Sequence, residues 1–317
     1  MTLSTTVILL SVDEAPMLEH SLAAVLAQEP KPDVVVVDNA SSDETAETVA
    51  RHGVRHLRLD QRVSYARAIN RGIACTESDA VLLLNADCFV QPGFLAAALP
   101  RLAEPGVGSV APKLIRALGP GRQLQELDAA GMFIDHRRKN GLTGFGEPAS
   151  AFGQACEVFG ADGAAALYRR QTLEDCALGE EVLDEDMALW ASDADLAWRA
   201  QLAGWRCVYE PAAVAHHIRT YSPSTRAQMS EEARRIQFRN RYLMMVKNET
   251  RASFWRDAPV ILGFEILALG HVLLRERHLL RGYREAWQLL PAARRRRAQL
   301  KERWRHARVP FGLRAAA

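Results

Sequence analysis

Three stretches hold carboxylates where they could act on a ligand. In "VVVVDNASSDET", Asp38 directly follows four valines, and in "LLLNADC", Asp87 follows a run of leucines. In "ASDADLAWRAQLAGWR", Asp193 and Asp195 stand at the mouth of an amphipathic helix pattern. Open α/β sheets bind ligands beyond the carboxyl ends of their strands, where Asp38 and Asp87 would lie. Asp38 can accept a hydrogen bond from a nucleobase N–H or a ribose hydroxyl, or it can serve a local turn. Facing a diphosphate, Asp87 would be the hard oxygen ligand that Mg²⁺ or Mn²⁺ prefers; otherwise it is a polar strand end. Asp193 and Asp195 can cap their helix, or one of them can take a proton from a substrate. Downstream, adjacent His216 and His217 fall on or just after a strand, so their side chains point to opposite sides. Only one can enter a shared site, and a purely structural histidine is the competing reading. His52 and His56 stand four apart, but Gly53 interrupts them and the second opens a strand, which argues against a metal pair.

The surrounding pattern supplies elements to position these groups. Over the first ~110 residues strand and helix patterns alternate, as in an α/β unit with a largely parallel sheet. "TTVILL" and "DVVVVDN" read as buried strands, and "PMLEHSLAAVLAQ" as a helix with Pro16 in its first turn. "SSDETAETVARHG" reads as a capped helix stopped by Gly53, "VRHLRL" as a strand, "SYARAINRGIAC" as a helix to Gly72, and "DAVLLLNAD" as a strand. Residues 112–150 are glycine-rich and read as loops and hairpins, the mobile part of the chain. "CEVFGADGAAALYRR" predicts strand, turn, strand and helix; after the strand "WRCVYEP" the pattern is helical to the end.

Composition sets bounds. With 317 residues, 48% hydrophobic and 25% charged, the chain suits one large domain, or a domain with an appendage. Five cysteines with no C-x-x-C pair argue against a disulfide framework and for a reducing compartment. The N-terminus has no basic region before its short apolar run and reads as a strand rather than a leader. A net charge of +2 conceals an asymmetry, because residues 275–314 carry 13 Lys/Arg against 3 Asp/Glu. A mildly acidic body therefore ends in a basic tail suited to an anionic surface. Residues 258–274 form a 17-residue apolar stretch broken by Glu265 and His271, short of the ~20 needed to span a bilayer. A buried or interfacial helix is the expectation, with Tyr283, Trp287 and Trp304 among the arginines suiting lipid headgroups; a solvated charged face is the alternative. No nucleic-acid motif accompanies the charge, so none is expected as a partner. No G-x-G-x-x-G, P-loop or G-x-S-x-G is present, which weighs against nicotinamide, flavin and ATP-loop chemistry.

In order, these pieces resemble a family 2 glycosyltransferase of GT-A fold, close to the bacterial rhamnosyltransferase-like branch. The matching residues are "LAAVLAQ", "VVDNASSDET", the N-R-G element at Asn70, Arg71 and Gly72, and "NAD" at Asn85 to Asp87. Further along, "GADGAAALYRR", "SDADLAWRAQLAGWR" and "PAAVAHH" complete the series, and the likeness covers about residues 4–250. It implies a mostly parallel central sheet flanked by helices and followed by a helical extension. Residues 1–225 would be the catalytic domain (nucleotide half about 1–111, acceptor half about 112–225), and 226–317 a basic, membrane-associating extension. It further implies that Asp38 contacts the base, with Asn39, Asn70, Arg71, Gly72 and Asn85 around the nucleotide sugar. Asp87 would bind Mg²⁺ or Mn²⁺ at the donor diphosphate, and His217 would be a metal or phosphate contact. Asp193 matches the catalytic base and Asp195 the second aspartate of its motif. Ser192 stands where the motif has glutamate, Ala86 replaces a frequent proline, Arg67 a small residue, and "SVDEAP" an early Y-N-R element.

The reaction implied is inverting transfer from a nucleotide-diphospho-sugar, dTDP-rhamnose first, to a hydroxyl of a lipid-linked or polysaccharide acceptor in cell-surface glycan synthesis. The expected location is the cytoplasm, peripheral on the inner membrane. Two rivals are a sugar-1-phosphate nucleotidyltransferase, whose glycine- and arginine-rich phosphate loop is missing, and a non-catalytic nucleotide-sugar binder.

Overall fold

A strand can be apolar at every position only if both of its faces are covered. The computed structural model, which describes residues 3–221 and 225–317, meets that condition at its centre. Strands β1 (Thr5–Ser11), β2 (Asp33–Asp38), β3 (Arg55–Arg58) and β4 (Ala80–Asn85) run parallel in the order β4-β1-β2-β3. Side chains alternate between faces. Val7, Leu9, Val34 and Val36 pack with Leu18 and Leu22 of α1 (Ala15–Leu26) and with Leu95 and Leu99 of α4 (Phe94–Ala103). Ile8, Leu10, Val35 and Val37 face Ile69 and Ile73 of α3 (Tyr65–Ala74) on the other side. Helix α2 (Thr45–His52) ends where the sequence predicts, at Gly53 with φ +63°. Helix α3 runs two residues past its predicted stop at Gly72. At Gly72 a Cβ would meet Ile8 Cγ2 at 2.6 Å and Val37 Cγ2 at 2.9 Å, so a side chain there would push the helix off the sheet.

The other half of the sheet is mixed. β11 (Ala165–Arg169) lies antiparallel between β4 and β6 (Val107–Ala117), and β12 (Arg206–His217) follows parallel to β6. β5 (Cys88–Val90) and β10 (Cys156–Val158) pair with β12, and β7 (Gln123–Ala130) pairs with β6. A hairpin of β8 (Met132–Ile134) and β9 (Asn140–Leu142) stands apart. Residues 112–150, expected as loops and hairpins, hold the β8–β9 hairpin, but also the end of β6 and the whole of β7, which belong to the main sheet. Pro112 lies where the β6–β12 register shifts, a place where a missing N–H is tolerated. Helices α5 (Arg170–Asp175) and α6 (Ser192–Leu202) complete this half, and Leu196 and Ala200 of α6 join the same core face as Ile8.

Three helices follow: α7 (Glu231–Asn248), α8 (Arg251–Leu274) and α9 (Leu280–Lys301). Contrary to the expectation of helix to the end, the last residues after α9 are irregular, with a turn at Phe311 and Gly312. There Phe311 packs edge-on to Trp198 of α6 at 5.0 Å, and Gly312 N donates to Ile134 O. Helix α8 begins seven residues before the 17-residue stretch read from the sequence. Its 24 residues are long and apolar enough, by length and composition alone, to cross a membrane.

Candidate active site

The carboxyl ends of β1 and β4 open into a cavity of about 970 Å³, roofed by α7, α8 and the β8–β9 hairpin. Asp87 sits just past β4. The short strand β5 runs back along the end of β12, pairing His217 with Cys88, and so brings the histidine beside the aspartate. His217 Nε2 lies 3.5 Å from Asp87 Oδ1, and its Nδ1 is 2.8 Å from Asp128 Oδ2 on β7. Strand alternation sends His216 the other way, and His217 alone of the two lines the cavity. Asp128 is fully buried and also accepts two hydrogen bonds from Arg219, at 2.7 and 2.8 Å. Arg219 donates in turn to Asp162 at 3.0 Å. Burial would raise the Asp128 carboxyl, but the bonds from His217 and Arg219 outweigh it and hold it at about 2. Burial likewise disfavours a charged imidazole, yet Asp128 and Asp87 prevail and push His217 up to about 9.

Asp87 Oδ1 is buried and has no hydrogen-bond partner. A hard oxygen with an unmet lone pair, beside an imidazole whose far nitrogen bonds a carboxylate, is a donor set that fits a divalent cation, which would displace the proton from His217 Nε2 on binding. Among the described residues no cluster of three or more His, Cys, Asp or Glu is placed to hold a metal. An ion here would complete its shell from substrate oxygens and water, as Mg²⁺ commonly does.

Across the cavity stands Asp193. Its helix has Ala191 as N-cap with φ +63° and no side-chain cap, so neither Ser192 nor Asp193 caps it. Asp193 Oδ2 instead accepts from Gly163 N at 3.1 Å, and Oδ1 from Ala194 N at 2.8 Å. Burial first, and the Asp162 charge second, push this half-buried carboxyl up to about 6. Tyr65, Glu14 and Asn85 share the wall. Glu14 is raised to about 7, by burial and then by the charge of Asp87.

Asp195 does not reach the cavity. It is fully buried, held by Arg199 Nε at 2.9 Å, Lys247 Nζ at 2.9 Å and Asn248 Nδ2 at 2.8 Å. The expected donor residues mostly secure loops. Asp38 is buried and accepts from Ser41 N, His56 and Arg58. Asn39 exchanges bonds with the Val63 backbone, and Asn70 bonds the backbone of Val182 and Leu183. Arg71 is exposed and Gly72 is a packing glycine, which leaves Asn85 of that set on the cavity wall. Sequence reasoning missed Asp128 and Arg219 as partners of His217, and Asp162 as a neighbour of Asp193. Arg219 stands only two residues beyond His217 and Asp162 lies within the quoted "GADG", whereas "ELDAAG" around Asp128 carries no signal.

Known proteins share this architecture. Staphylococcus aureus TarS 1-349 in complex with UDP-GlcNAc superposes with a TM-score of 0.61 at 16% identity, over 95% of this chain and 89% of that one. The mannosyltransferase PcManGT from Pyrobaculum calidifontis, in complex with GDP-Man and Mn²⁺, gives 0.54 at 18% identity, over 96% and 86%. The poly-beta-1,6-N-acetyl-D-glucosamine synthase of Staphylococcus aureus strain COL is 24% identical over 220 residues, 66% of this chain and 48% of that protein. Its Staphylococcus epidermidis counterpart is 22% identical over 211 residues, 64% and 47% respectively. The chain thus spans about half the length of the curated relatives it matches. Residues 6–176 fit the model of glycosyl transferase family 2. With a GT-A fold and more than half its length inside that model, the chain belongs to glycosyl transferase family 2.

Proposed function

We propose that the chain transfers a sugar from a nucleotide-diphospho-sugar to an acceptor hydroxyl with inversion at the anomeric carbon. One observation carries this reading: a half-buried carboxylate, Asp193, shares a cavity with the Asp87–His217 pair. The acceptor oxygen attacks the anomeric carbon as the bond to the diphosphate breaks, and Asp193 takes the hydroxyl proton. A carboxylate is too weak a base to ionise a free alcohol, but it accepts the proton as the new bond forms, typically worth 10²–10⁴-fold. Backbone N–H bonds from Gly163 and Ala194 fix its orientation. Mg²⁺ or Mn²⁺ held by Asp87 and His217 would supply positive charge to the leaving diphosphate. Asp128 holds the imidazole so that Nε2 faces Asp87.

For the donor, the resemblance to the rhamnosyltransferase-like branch favours dTDP-rhamnose. UDP-GlcNAc and GDP-mannose, bound by the solved neighbours, are the comparison sugars. The test is a thermal-shift panel of these three, with and without Mn²⁺, followed by turnover of wild type and Asp193→Asn. A metal-dependent rise in Tm with one donor, and loss of transfer in the variant, are expected. No rise with any of the donors, or full turnover in the variant, overturns the reading.

A further inference from the structure

Helix α8 carries an apolar face that none of the described residues covers. Trp255, Pro259, Leu262, Ile266, Leu269 and Leu273 recur at alternating spacings of four and three, so they share one side of the helix, and all are exposed. The opposite side is tied to the body. Asp257 bonds Arg138 at 2.8 Å, and Glu265 bonds Arg241 and the Tyr242 hydroxyl, each at 2.6 Å. The helix therefore lies along the domain rather than projecting from it. A contiguous apolar face of this kind marks an interaction surface.

Charge identifies the occupant. Around the corner into α9, Arg275, Arg277, Arg281, Arg284, Arg294 and Arg295 are exposed and have no carboxylate partner among the described residues. Trp287 is 76% exposed among them, and Trp255 is 73% exposed near the other end of α8. A second copy of this chain would press like charges together, whereas an anionic bilayer neutralises them. An apolar stripe flanked by arginine and tryptophan suits a helix lying in the headgroup plane.

This face is continuous with the active-site cavity. Leu267 is 73% exposed and also lines the cavity, where Phe264, Ala268 and Val272 continue the wall inward. The Phe264 ring is ringed by cations at the same wall: Arg241 at 4.9 Å, Arg137 at 5.6 Å and Lys139 at 5.7 Å from its centroid. Arg241 pairs with Glu265 and Arg137 with Asp135, while Lys139 has no carboxylate partner among the described residues. Burial first, and then the nearby Arg137 guanidinium, hold the Lys139 ammonium below its usual pKa, and a bound anion would offset both.

We infer that the acceptor is a phosphate-headed glycolipid. Its chain stays in an anionic bilayer docked on α8, its phosphate sits among Lys139, Arg137 and Arg241, and its sugar hydroxyl reaches Asp193. The inference rests on the transferase reading for its last step alone, and the membrane and phosphate contacts are testable without it. The full chain is sedimented with phosphatidylcholine vesicles with and without phosphatidylglycerol. Binding is expected only with phosphatidylglycerol. It should be lost in the Leu262→Glu/Ile266→Glu double variant, which leaves the cavity untouched, and should fall about fivefold for each charge removed by Arg284→Ala and Arg294→Ala. In a second arm, Lys139→Ala should weaken binding of monomeric dodecyl phosphate by at least about fivefold while Mn²⁺ affinity, read by electron paramagnetic resonance, is unchanged. No vesicle binding, binding undiminished by the two glutamates, or a dimer that they split overturns the membrane assignment. Wild-type affinity for dodecyl phosphate in Lys139→Ala overturns the phosphate site. Vesicle and phosphate binding that persist while no nucleotide sugar raises Tm would sink the transferase reading and leave the docking surface standing.

Discussion

Replacing Asp162 by asparagine should move the acid limb of the reaction without touching the base. Asp193 is raised from 3.8 to about 6 by burial first and by the Asp162 charge second. A base at about 6 is roughly nine-tenths ionised at pH 7 and about one-tenth at pH 5. In Asp162→Asn the like charge disappears, and Arg219, which bonds Asp162 at 3.0 Å, is less neutralised. Both effects favour ionised Asp193, so its pKa falls. Burial is the larger cause and remains in the variant, so the carboxyl stays raised and the fall is taken as roughly one pH unit. The ionised fraction at pH 5 then climbs from about 9% toward 50%, a gain in kcat/KM of up to about fivefold, with almost none above pH 7. The assay is initial-rate transfer between about pH 4.5 and 8.5, using whichever donor raises Tm, with Asp193→Asn as the inactive control. Stability offers a cross-check. A carboxyl raised on folding stabilises the fold fully below the unfolded pKa near 4, and that contribution is lost as pH rises through about 6. The variant should therefore gain less on acidification than wild type. An acid limb that stays put or moves upward in Asp162→Asn would refute the assignment of Asp193.

Three further outcomes separate the roles of neighbouring residues. Asp128→Asn should lower Mn²⁺ affinity by about 10–100-fold in a direct binding titration, because it loosens the ring of His217 without removing a ligand. Asp195→Asn should leave Mn²⁺ binding intact but cost about 3–5 kcal/mol of stability in denaturant unfolding, since Lys247 and Arg199 would keep their charges in a buried site. Gly72→Ala should cost about 1–3 kcal/mol through overpacking against Ile8 and Val37, while the thermal shift produced by donor survives.

The first half of the fold is legible because its strands are unbroken apolar runs, and such runs require cover on both faces. The middle is not. β6 reads "VGSVAPKLIRA", with glycine, proline and lysine inside it, and only its pairing with β12 and β11 shows that it is a central strand. The irregular tail is equally opaque, because Phe311 packs on Trp198, more than a hundred residues earlier in the chain. At the site, Asp87, Asp193, Asn85 and His217 can be picked out from local motifs and their order. Asp128 cannot, since β7, β6 and β12 bring it to His217 across 89 residues of sequence. Asp38, Asn39 and Asn70 are recognisable by motif, yet their side-chain bonds in the structure go to loop backbone, for Asp38 also to His56 and Arg58, and for Asn70 also to Glu185.

The aspartates of "SDAD" show how one motif divides its labour. Each helical residue turns the chain by about 100°, so positions two apart point about 200° from one another and cannot serve the same cavity. Asp193 faces the cavity and is raised; Asp195 faces inward, where Lys247 and Arg199 overcome its burial and keep it below the usual carboxylate range. Through Lys247 and Asn248 the inner aspartate fastens α6 to the end of α7, and through Arg199 it closes on its own next turn. That fastening fixes where the uncapped mouth of α6 stands relative to Gly163, whose N–H orients Asp193. A carboxylate that accepts a proton only while a bond is forming must already be aligned when the acceptor arrives, and misplacement by an ångström can cost about a hundredfold. In the proposed transfer, Asp195 therefore acts only through the position of its neighbour.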